Sequence, residues 1–216
     1  MNRKLLSAFA LAYAPLLWGS GAYAVPITPS PTIIVGDKTF NNFTCNVVTG
    51  SGLTCAQIDV SGRISVAPPD ATNGDPGIRI QGAFNAGTTN EDVVIEYDAT
   101  ASGGFLIHDA SMFFNGTVTT SVTEDIFNKA NNHLIGHLVV SNPPPNFTDD
   151  IVLTENALSI HVVKDIQLNF TAPGPTVISI VDQNFSQTVP EPASLTLLGS
   201  ALIGLGWFGY RRRKTA

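Results

Sequence analysis

The sequence predicts an all-β protein: a single antiparallel β-sandwich between a cleaved signal peptide and a C-terminal transmembrane helix. Three observations predict the sandwich. Polar and apolar residues alternate along most of the chain, and Gly, Asn, Asp and Pro separate the alternating segments roughly every 10–15 residues. Between residues 25 and 189, no window of helical length shows a period of about 3.6 residues. That part is poor in Lys, Glu and Leu and rich in Thr, Val, Asn, Gly and Ile, which disfavours helices.

The elements follow one another in chain order. The proline-rich residues 25–31 are expected to form an extended entry segment, since they lack the donors for a regular ladder. The predicted strands include residues 78–81, 93–97, 118–123, 158–162, 166–170 and 177–181. Residues 172–175, Ala-Pro-Gly-Pro, predict the turn before the last of these. Residues 124–131 are the best helix candidate, and the prolines at 143–145 predict a surface loop.

About ten strands fit this spacing. A domain of this size and composition fits either a jelly-roll or an immunoglobulin-like sandwich, and both remain open. A closed barrel is less favoured because nothing in the sequence fixes a strand number. Phe40 and Phe43, near the start of the domain, are expected in the core.

The two cysteines of the chain, Cys45 and Cys55, predict a disulfide. An isolated pair in an oxidising compartment is usually bridged. Residues 46–54 indicate a strand, a Gly-Ser-Gly turn and a short return, so the bridge is expected across a hairpin. A redox or metal pair is disfavoured because the spacing fits neither C-x-x-C chemistry nor a zinc knuckle.

The predicted exported domain, residues 25–189, is strongly acidic. It holds five of the 11 Lys and Arg and 16 of the 17 Asp and Glu, which gives a net charge of −11. Such a surface repels nucleic acid and anionic lipid headgroups, so no nucleic-acid partner is expected. Solubility in a crowded envelope is the favoured interpretation of this charge, and cation binding is the alternative.

Residues 1–24 have the pattern of a cleaved signal peptide. A positive start is followed by an apolar run at residues 5–18 and a small-x-small site, Ala-Tyr-Ala, at residues 22–24. Cleavage there gives a mature chain that begins at Val25, with the domain outside the cytoplasmic membrane. An uncleaved anchor is the alternative, and the short apolar run disfavours it.

Residues 190–216 have three parts in a fixed order. Pro190, Glu191 and Pro192 come first. The uncharged apolar run at 193–210 has 18 residues, which span about 27 Å as a helix, close to the roughly 30 Å core of a bilayer. A basic tail that begins with Arg211, Arg212 and Arg213 follows, and such clusters favour the cytoplasmic face.

This order resembles the PEP-CTERM sorting signal of exported proteins from bacteria with exopolysaccharide-rich envelopes. The resemblance implies that an exosortase-like enzyme, a membrane-embedded cysteine transpeptidase-like protein, processes the chain. It gives the Pro-Glu-Pro residues the role of recognition motif, residues 193–210 that of a membrane span and the three arginines that of a stop signal. The implied location is the inner membrane before processing, and the cell surface or extracellular matrix afterwards.

Residues 36–43 and 77–82 carry a second, looser resemblance. They read Gly-Asp-Lys-Thr-Phe-Asn-Asn-Phe and Gly-Ile-Arg-Ile-Gln-Gly. Both are similar to segments of uncharacterised exported proteins that bear the same tail. This resemblance implies no reaction.

No set of residues forms a recognisable catalytic motif. A glycosidase needs two carboxyl groups across a cleft, and the sequence pairs none of Glu96, Glu124 and Glu155. There is no G-x-S-x-G elbow and no nucleotide fingerprint. Tyr97 is the only tyrosine of residues 25–189, which hold no tryptophan, and this weakens a glycan-stacking platform.

Metal ligation is also disfavoured. His133 and His137 would share one face of a strand about 13 Å apart, too far to chelate one ion. The amide-rich or acidic segments 73–75, 90–92 and 149–150 match no complete calcium loop, and Asn and Asp are common turn residues.

We therefore expect a non-catalytic exported envelope or extracellular-matrix protein, sorted by an exosortase-like system and associated with exopolysaccharide or other surface proteins. The alternatives are a Ca²⁺- or glycan-binding sandwich module and, less favoured, an extracellular hydrolase. No cofactor, catalytic residue or metal site is expected.

Overall fold

The structure, a computed structural model, describes residues 23–49, 52–64, 75–87, 89–117, 119–170 and 176–188. These residues form twelve strands: β1 (Val25–Pro26), β2 (Ile33–Val35), β3 (Lys38–Thr49), β4 (Ile58–Ile64), β5 (Pro76–Ala86), β6 (Glu91–Ala101), β7 (Leu106–Gly116), β8 (Thr120–Asn128), β9 (His133–Asn142), β10 (Thr148–Ala157), β11 (Ser159–Leu168) and β12 (Thr176–Thr188). A 3-10 turn, Cys55–Gln57, precedes β4. The described residues contain no α-helix.

The strands form two six-stranded antiparallel sheets that pack as a sandwich. Sheet I has the order β1-β4-β5-β12-β7-β10, and sheet II has the order β2-β3-β6-β11-β8-β9. Ten of the twelve strands have seven or more residues, and the other two, β1 and β2, are short edge strands. The predicted all-β antiparallel sandwich is therefore confirmed.

The last eight strands follow the path of a jelly roll. Strand β5 pairs with β12, β6 with β11, β7 with β10 and β8 with β9, and every pair is antiparallel. The chain from β5 to β12 is thus one long hairpin, folded so that successive pairs fall alternately into sheets I and II. Of the two architectures that the sequence leaves open, the jelly roll is the one found.

Alternation along the strands builds the core. On β6, Val93, Ile95 and Tyr97 are fully buried, whereas the residues between them are partly exposed. Phe40 and Phe43 of β3 pack against Tyr97, with ring centroids 6.3 and 5.4 Å from its ring. The prediction that both phenylalanines lie in the core is confirmed.

The best helix candidate, residues 124–131, is not a helix. Strand β8 runs through Asn128, and a turn follows it. Val122, Glu124 and Ile126 are all fully buried, so the period of this segment is two. Because Glu124 is charged, it looks in the sequence like an outward-facing residue, and the period of two is missed.

Several predicted boundaries also change. The strands predicted at 158–162 and 166–170 are parts of a single strand, β11, which begins at Ser159 and ends at Leu168. Val118 lies outside the described residues, and β8 begins at Thr120. The entry segment contributes a short edge strand, because Val25 and Pro26 pair with β4, at a place where proline removes no ladder bond.

The two predicted turns have different outcomes. Residues 143–145 form an exposed turn between β9 and β10, as predicted. Residues 172–175 lie outside the described part of the chain. The strands on either side of them, β11 and β12, belong to different sheets.

The disulfide between Cys45 and Cys55 is present, with Cα atoms 5.9 Å apart, but it does not close a hairpin. Cys45 lies in β3 of sheet II, whereas Cys55 begins the 3-10 turn that enters β4 of sheet I. The predicted short return strand is therefore wrong. Leu53 is buried in the core as the chain crosses from one sheet to the other, and the bridge joins β3 of sheet II to the turn that leads into β4 of sheet I.

Candidate functional site along the last strand

Strand β12 connects the sandwich to the C-terminal segment, residues 190–216. It lies inside sheet I and pairs with β5 on one side and β7 on the other. It ends at Thr188, two residues before Pro190. Five consecutive residues of this strand, 181–185, are buried. The C-terminal segment thus follows directly on one of the most firmly held strands of the fold.

A buried polar cluster, here called the central cluster, lies between β12 and sheet II. It consists of Lys164 on β11, Glu124 on β8 and Gln183 on β12. Lys164 Nζ forms an ion pair with Glu124 Oε2 and donates to Gln183 Oε1 at 3.0 Å and to Met112 Sδ at 3.1 Å. All three residues of the cluster have no exposed surface. Because Lys164 and Glu124 are direct cross-strand partners, both project from sheet II towards β12.

Burial governs the charge state of this cluster. It lowers the pKa of the Lys164 amine, an effect that the neighbouring Glu124 carboxylate partly offsets. Burial likewise raises the pKa of Glu124, and the Lys164 ammonium partly offsets that shift. Burial and the Glu124 charge together raise the pKa of Tyr97 well above its ordinary value. Burial therefore makes the charged form of each group costly, and each charge partly compensates the other.

Three buried atoms around the cluster have no hydrogen-bond partner among the described residues: Glu124 Oε1, Gln183 Nε2 and the Tyr97 hydroxyl oxygen. Unpartnered buried polar atoms are rare in folded proteins and cost stability. The central cluster is therefore a costly arrangement in the interior of the sandwich.

Two further polar contacts hold β12. Asp182 is buried and accepts from both Arg63 of β4 and Arg79 of β5; the Arg79 contacts measure 2.8 and 2.9 Å. The hydrogen bond to Asp182 raises the pKa of Arg79. Near the end of the strand, Gln187 Oε1 accepts from Lys38 Nζ at 2.5 Å. Neighbouring strands of sheet I and strand β3 of sheet II are thereby linked to β12.

Lys38, Asp37 and Gln187 form what we call the rim cluster. Lys38 is fully buried and lies 2.8 Å from Asp37 Oδ2, whose side chain is 15% exposed. Gln187 is exposed. The rim cluster thus has the same chemical groups as the central cluster, near the C-terminal end of β12.

The fifth cation of the domain completes the pattern. Lys129, just after β8, pairs with Asp98, which also accepts from Asn42 at 2.6 Å and contacts His161 at 3.0 Å. All five Lys and Arg of residues 25–189 are therefore engaged with carboxylates. The other carboxylates, which outnumber these cations, give the domain its acidic surface.

The structure does not bring the three candidate acids together. Glu96 lies on the outer face of sheet II, 3.7 Å from His161. Glu124 lies on its inner face. Glu155 belongs to β10, and its Oε1 accepts from Asn128 at 2.9 Å and Asn131 at 3.1 Å, which lowers its pKa. These positions do not form the facing pair of a glycosidase cleft.

The candidate metal ligands serve other contacts. A β-bulge lies between His133 and His137; His133 is 4.0 Å from Glu155, and His137 is 2.7 Å from Asp125. Asn90 Oδ1 accepts from the Phe170 amide at 2.9 Å, and Asp149 accepts from the Val139 amide at 2.7 Å. Within the described ranges, no group of three His, Cys, Asp or Glu is placed to hold a metal ion.

Sequence reasoning missed the central cluster, although a signal was present. Lys164 takes an inward position of β11, two residues from each of Val162 and Ile166, which are fully buried. Glu124 takes the equivalent position on β8 between two buried apolar residues. A single charged residue at a position where the alternation predicts an inward apolar side chain is therefore the sequence pattern that would have identified Lys164 and Glu124.

The predicted sorting residues lie beyond the part of the chain that the structure describes. Pro190, Glu191, Pro192 and Arg211, Arg212, Arg213 all follow Thr188, its last residue. The predicted span at 193–210 lies there too. In the described ranges, no helix has the length and apolar character needed to cross a membrane.

Three comparisons with known proteins give different results. No curated protein matches the chain. Among solved structures, TmCBM61 in complex with β-1,4-galactotriose matches with a TM-score of 0.38 and 7% sequence identity, over 67% of this chain and 89% of that one. A likeness at this level gives no ground for transferring a ligand.

The C-terminal end matches a family model. The match covers residues 188–213, and its description is the PEP-CTERM protein-sorting motif. It begins on the last residue of β12 and contains all six predicted sorting residues. The motif implies export, passage through the membrane and processing by an exosortase. Residues 188–213 of this chain match the PEP-CTERM protein-sorting motif, and that match begins at the last residue of the jelly-roll sandwich.

Proposed function

We propose that this chain is a non-catalytic envelope or extracellular-matrix protein, delivered to the cell surface through its sorting motif and associated there with exopolysaccharide or other surface proteins. The observation that carries the proposal is the direct junction of motif and strand: the match starts at Thr188, the residue that ends β12. The tail is therefore continuous in sequence with a strand that lies inside sheet I.

The contacts of β12 support a role in retention. A force applied to the tail acts first on this strand, which has ladder partners on both sides. Asp182, Gln183 and Gln187 add polar contacts to β4, β5, β11 and β3. A strand fastened at several points suits a domain that must stay folded while its tail is held or transferred.

The charge of the domain supports the choice of partners. With its five cations paired, the surface presents excess carboxylates. It therefore disfavours binding to nucleic acid and anionic headgroups, and it leaves neutral polysaccharide and other surface proteins as suitable partners.

The proposed maturation has two cuts. Signal peptidase removes residues 1–24. Residues 193–210 then hold the chain in the membrane, with Arg211, Arg212 and Arg213 as the stop signal. An exosortase acts near Pro190, Glu191 and Pro192 and frees the domain for the surface.

The test replaces Pro190, Glu191 and Pro192 with alanine in the full chain, expressed in a host that has the sorting system. We expect the variant to stay in the membrane fraction while the unaltered chain reaches the surface fraction. A matched control, Ser194→Ala with Thr196→Ala, alters neighbouring residues but leaves Pro190, Glu191, Pro192 and all charges in place, and it should behave as the unaltered chain. If the motif variant reaches the surface in the same amount, the proposed sorting is wrong.

A further inference from the structure

The central cluster holds the groups needed for an amide cross-link. We propose that Lys164 Nζ and Gln183 Cδ join in an intramolecular isopeptide bond, with Glu124 carrying the protons. Nothing in the sorting motif bears on this bond, and it stands independently of the proposed function.

The geometry places nucleophile and electrophile together. Lys164 Nζ lies 3.0 Å from Gln183 Oε1, and a carbonyl bond of about 1.2 Å then puts Cδ at most roughly 4.2 Å from the amine. Glu124 Oε2 contacts the same Nζ. All three side chains are fully buried, which fixes their positions and excludes bulk water. A reaction between groups held in this way avoids the entropy of a bimolecular encounter.

The reaction balances without a co-reactant. The neutral Lys164 amine attacks Gln183 Cδ and forms a C–N bond, while the Glu124 carboxylic acid donates its proton to Oε1. The resulting Glu124 carboxylate takes a proton from the attacking nitrogen and passes it to Nε2. The carbonyl re-forms, the Cδ–Nε2 bond breaks, and ammonia leaves. Glu124 recovers its proton from the collapsing hydroxyl, so the net change is Lys amine plus Gln amide to one secondary amide plus ammonia.

The electrostatics of the cluster favour the reactive protonation states. Burial lowers the pKa of Lys164 and raises that of Glu124, so both shifts go in the direction of the amine nucleophile and the carboxylic acid proton donor that the reaction needs. Gln183 Nε2, the leaving nitrogen, has no hydrogen-bond partner among the described residues that would hold it in place. The bond would also remove the costly buried charge pair.

The proposed bond would join the two sheets at their centre. Lys164 lies on β11 of sheet II and Gln183 on β12 of sheet I. The Cys45–Cys55 disulfide joins the sheets elsewhere, so the domain would have two covalent ties. The second would hold the strand that leads into residues 188–213.

The rim cluster provides an internal comparison. Lys38 contacts Gln187 Oε1 and Asp37, so it has the same three groups. Gln187 is exposed, however, and water solvates its amide. We expect no bond there, because the groups are not held in dry surroundings.

The test is peptide mapping of the full chain, purified after export, then denatured and reduced. Chymotrypsin cuts after Phe170, between the two residues, so a cross-link leaves the peptides that contain Lys164 and Gln183 joined. Their joint mass should be lower than the sum by one ammonia, and trypsin should fail to cut after Lys164. Separate peptides of unmodified mass would overturn the proposal. A loss of water between Lys164 and Glu124 would equally overturn it, since Glu124 would then be the acyl donor.

Variants test the role of Glu124. Glu124→Gln keeps the shape but removes the carboxylic acid, so the two peptides should separate at unmodified mass, with far-UV circular dichroism confirming a folded sheet protein. Lys38→Met is the control and should leave the Lys164–Gln183 bond intact. A cross-link that persists in folded Glu124→Gln would overturn the role of Glu124. If that variant does not fold, the peptide map of the unaltered chain still decides whether the bond exists.

Discussion

The central and rim clusters contain the same three kinds of side chain and differ in depth. Each has a lysine that contacts a carboxylate and a glutamine of β12. In the central cluster Lys164, Glu124 and Gln183 are all fully buried, whereas in the rim cluster only the lysine is. The two clusters do not differ in residue type, so burial is what distinguishes them. Water reaches the carboxylate and the glutamine of the rim cluster, whereas the lysine and glutamine of the central cluster are held in dry surroundings where they can react.

The difference in burial also predicts that the two clusters contribute differently to the stability of the fold. Removing one partner of a fully buried ion pair leaves an uncompensated group, whereas water can solvate what remains of a partly exposed pair. Lys129 and Asp98 extend the series, because the Lys129 side chain is 47% exposed. The expected order of importance is therefore the central cluster, the rim cluster and the Lys129 pair.

The largest effect is expected from Lys164→Met. This change leaves Glu124 buried without its partner and also removes the proposed bond to Gln183. The unpartnered buried group alone should lower the free energy of unfolding by about 3–5 kcal/mol. The matched change Lys38→Met should cost about 1–2 kcal/mol, since its partners reach water. Urea unfolding of both variants measures the difference, and equal losses would contradict the ranking by depth.

A double variant separates charge from packing at the same place. Lys164→Met with Glu124→Leu removes both charges and should be more stable than Lys164→Met alone, because no buried carboxyl group is left without a partner. A double variant that is less stable than the single one would show that the cluster stabilises the core through its charges.

The disulfide should contribute less than the central cluster. Cys45→Ser with Cys55→Ser opens a small loop, and we expect a loss of about 2–3 kcal/mol, largely through a less restricted unfolded chain. Reduction of the unaltered protein should lower the urea midpoint by the same amount. A loss greater than that of Lys164→Met would make the disulfide, and not the central cluster, the main tie between the sheets.

The smallest effect concerns pH. Burial alone would raise the pKa of Asp98, but hydrogen bonds from Lys129, Asn42 and His161 lower it below its ordinary value of 3.8. A lowered folded pKa means that Asp98 contributes stability that is present above about pH 4 and is lost as the pH falls through the folded value. Asp98→Asn should therefore cost about 1 kcal/mol at pH 7 and nothing once the carboxyl is protonated. A cost that does not change between pH 7 and pH 2 would contradict this origin.

The sequence predicts the sandwich well because most strands obey the period of two. On β6 the alternation of Val93, Ile95 and Tyr97 gives the inward face without any knowledge of partners. The same rule failed at Glu124, because a charge at an inward position looks like an outward residue. Its partner Lys164 lies 40 residues away, and only strand pairing brings the two together.

The connection around Cys45 shows a second limit. The sequence pattern of residues 46–54 fits two structures equally well. One is a hairpin, and the other is a connection that crosses from one sheet to the other. What decides between them is where Leu53 buries its side chain, and this depends on the opposite sheet. Pairings between distant strands, such as β5 with β12, are likewise set by the assembled core.

The C-terminus of the mature surface protein tests the central claim most directly. Mass spectrometry of material released from the cell surface should find chains that begin at Val25 and lack residues 193–216, because the exosortase has acted near Pro190, Glu191 and Pro192. Chains recovered only from the membrane fraction should still contain those residues. Surface material that retains the peptide through Ala216 would contradict the account and would describe a membrane protein that keeps its tail.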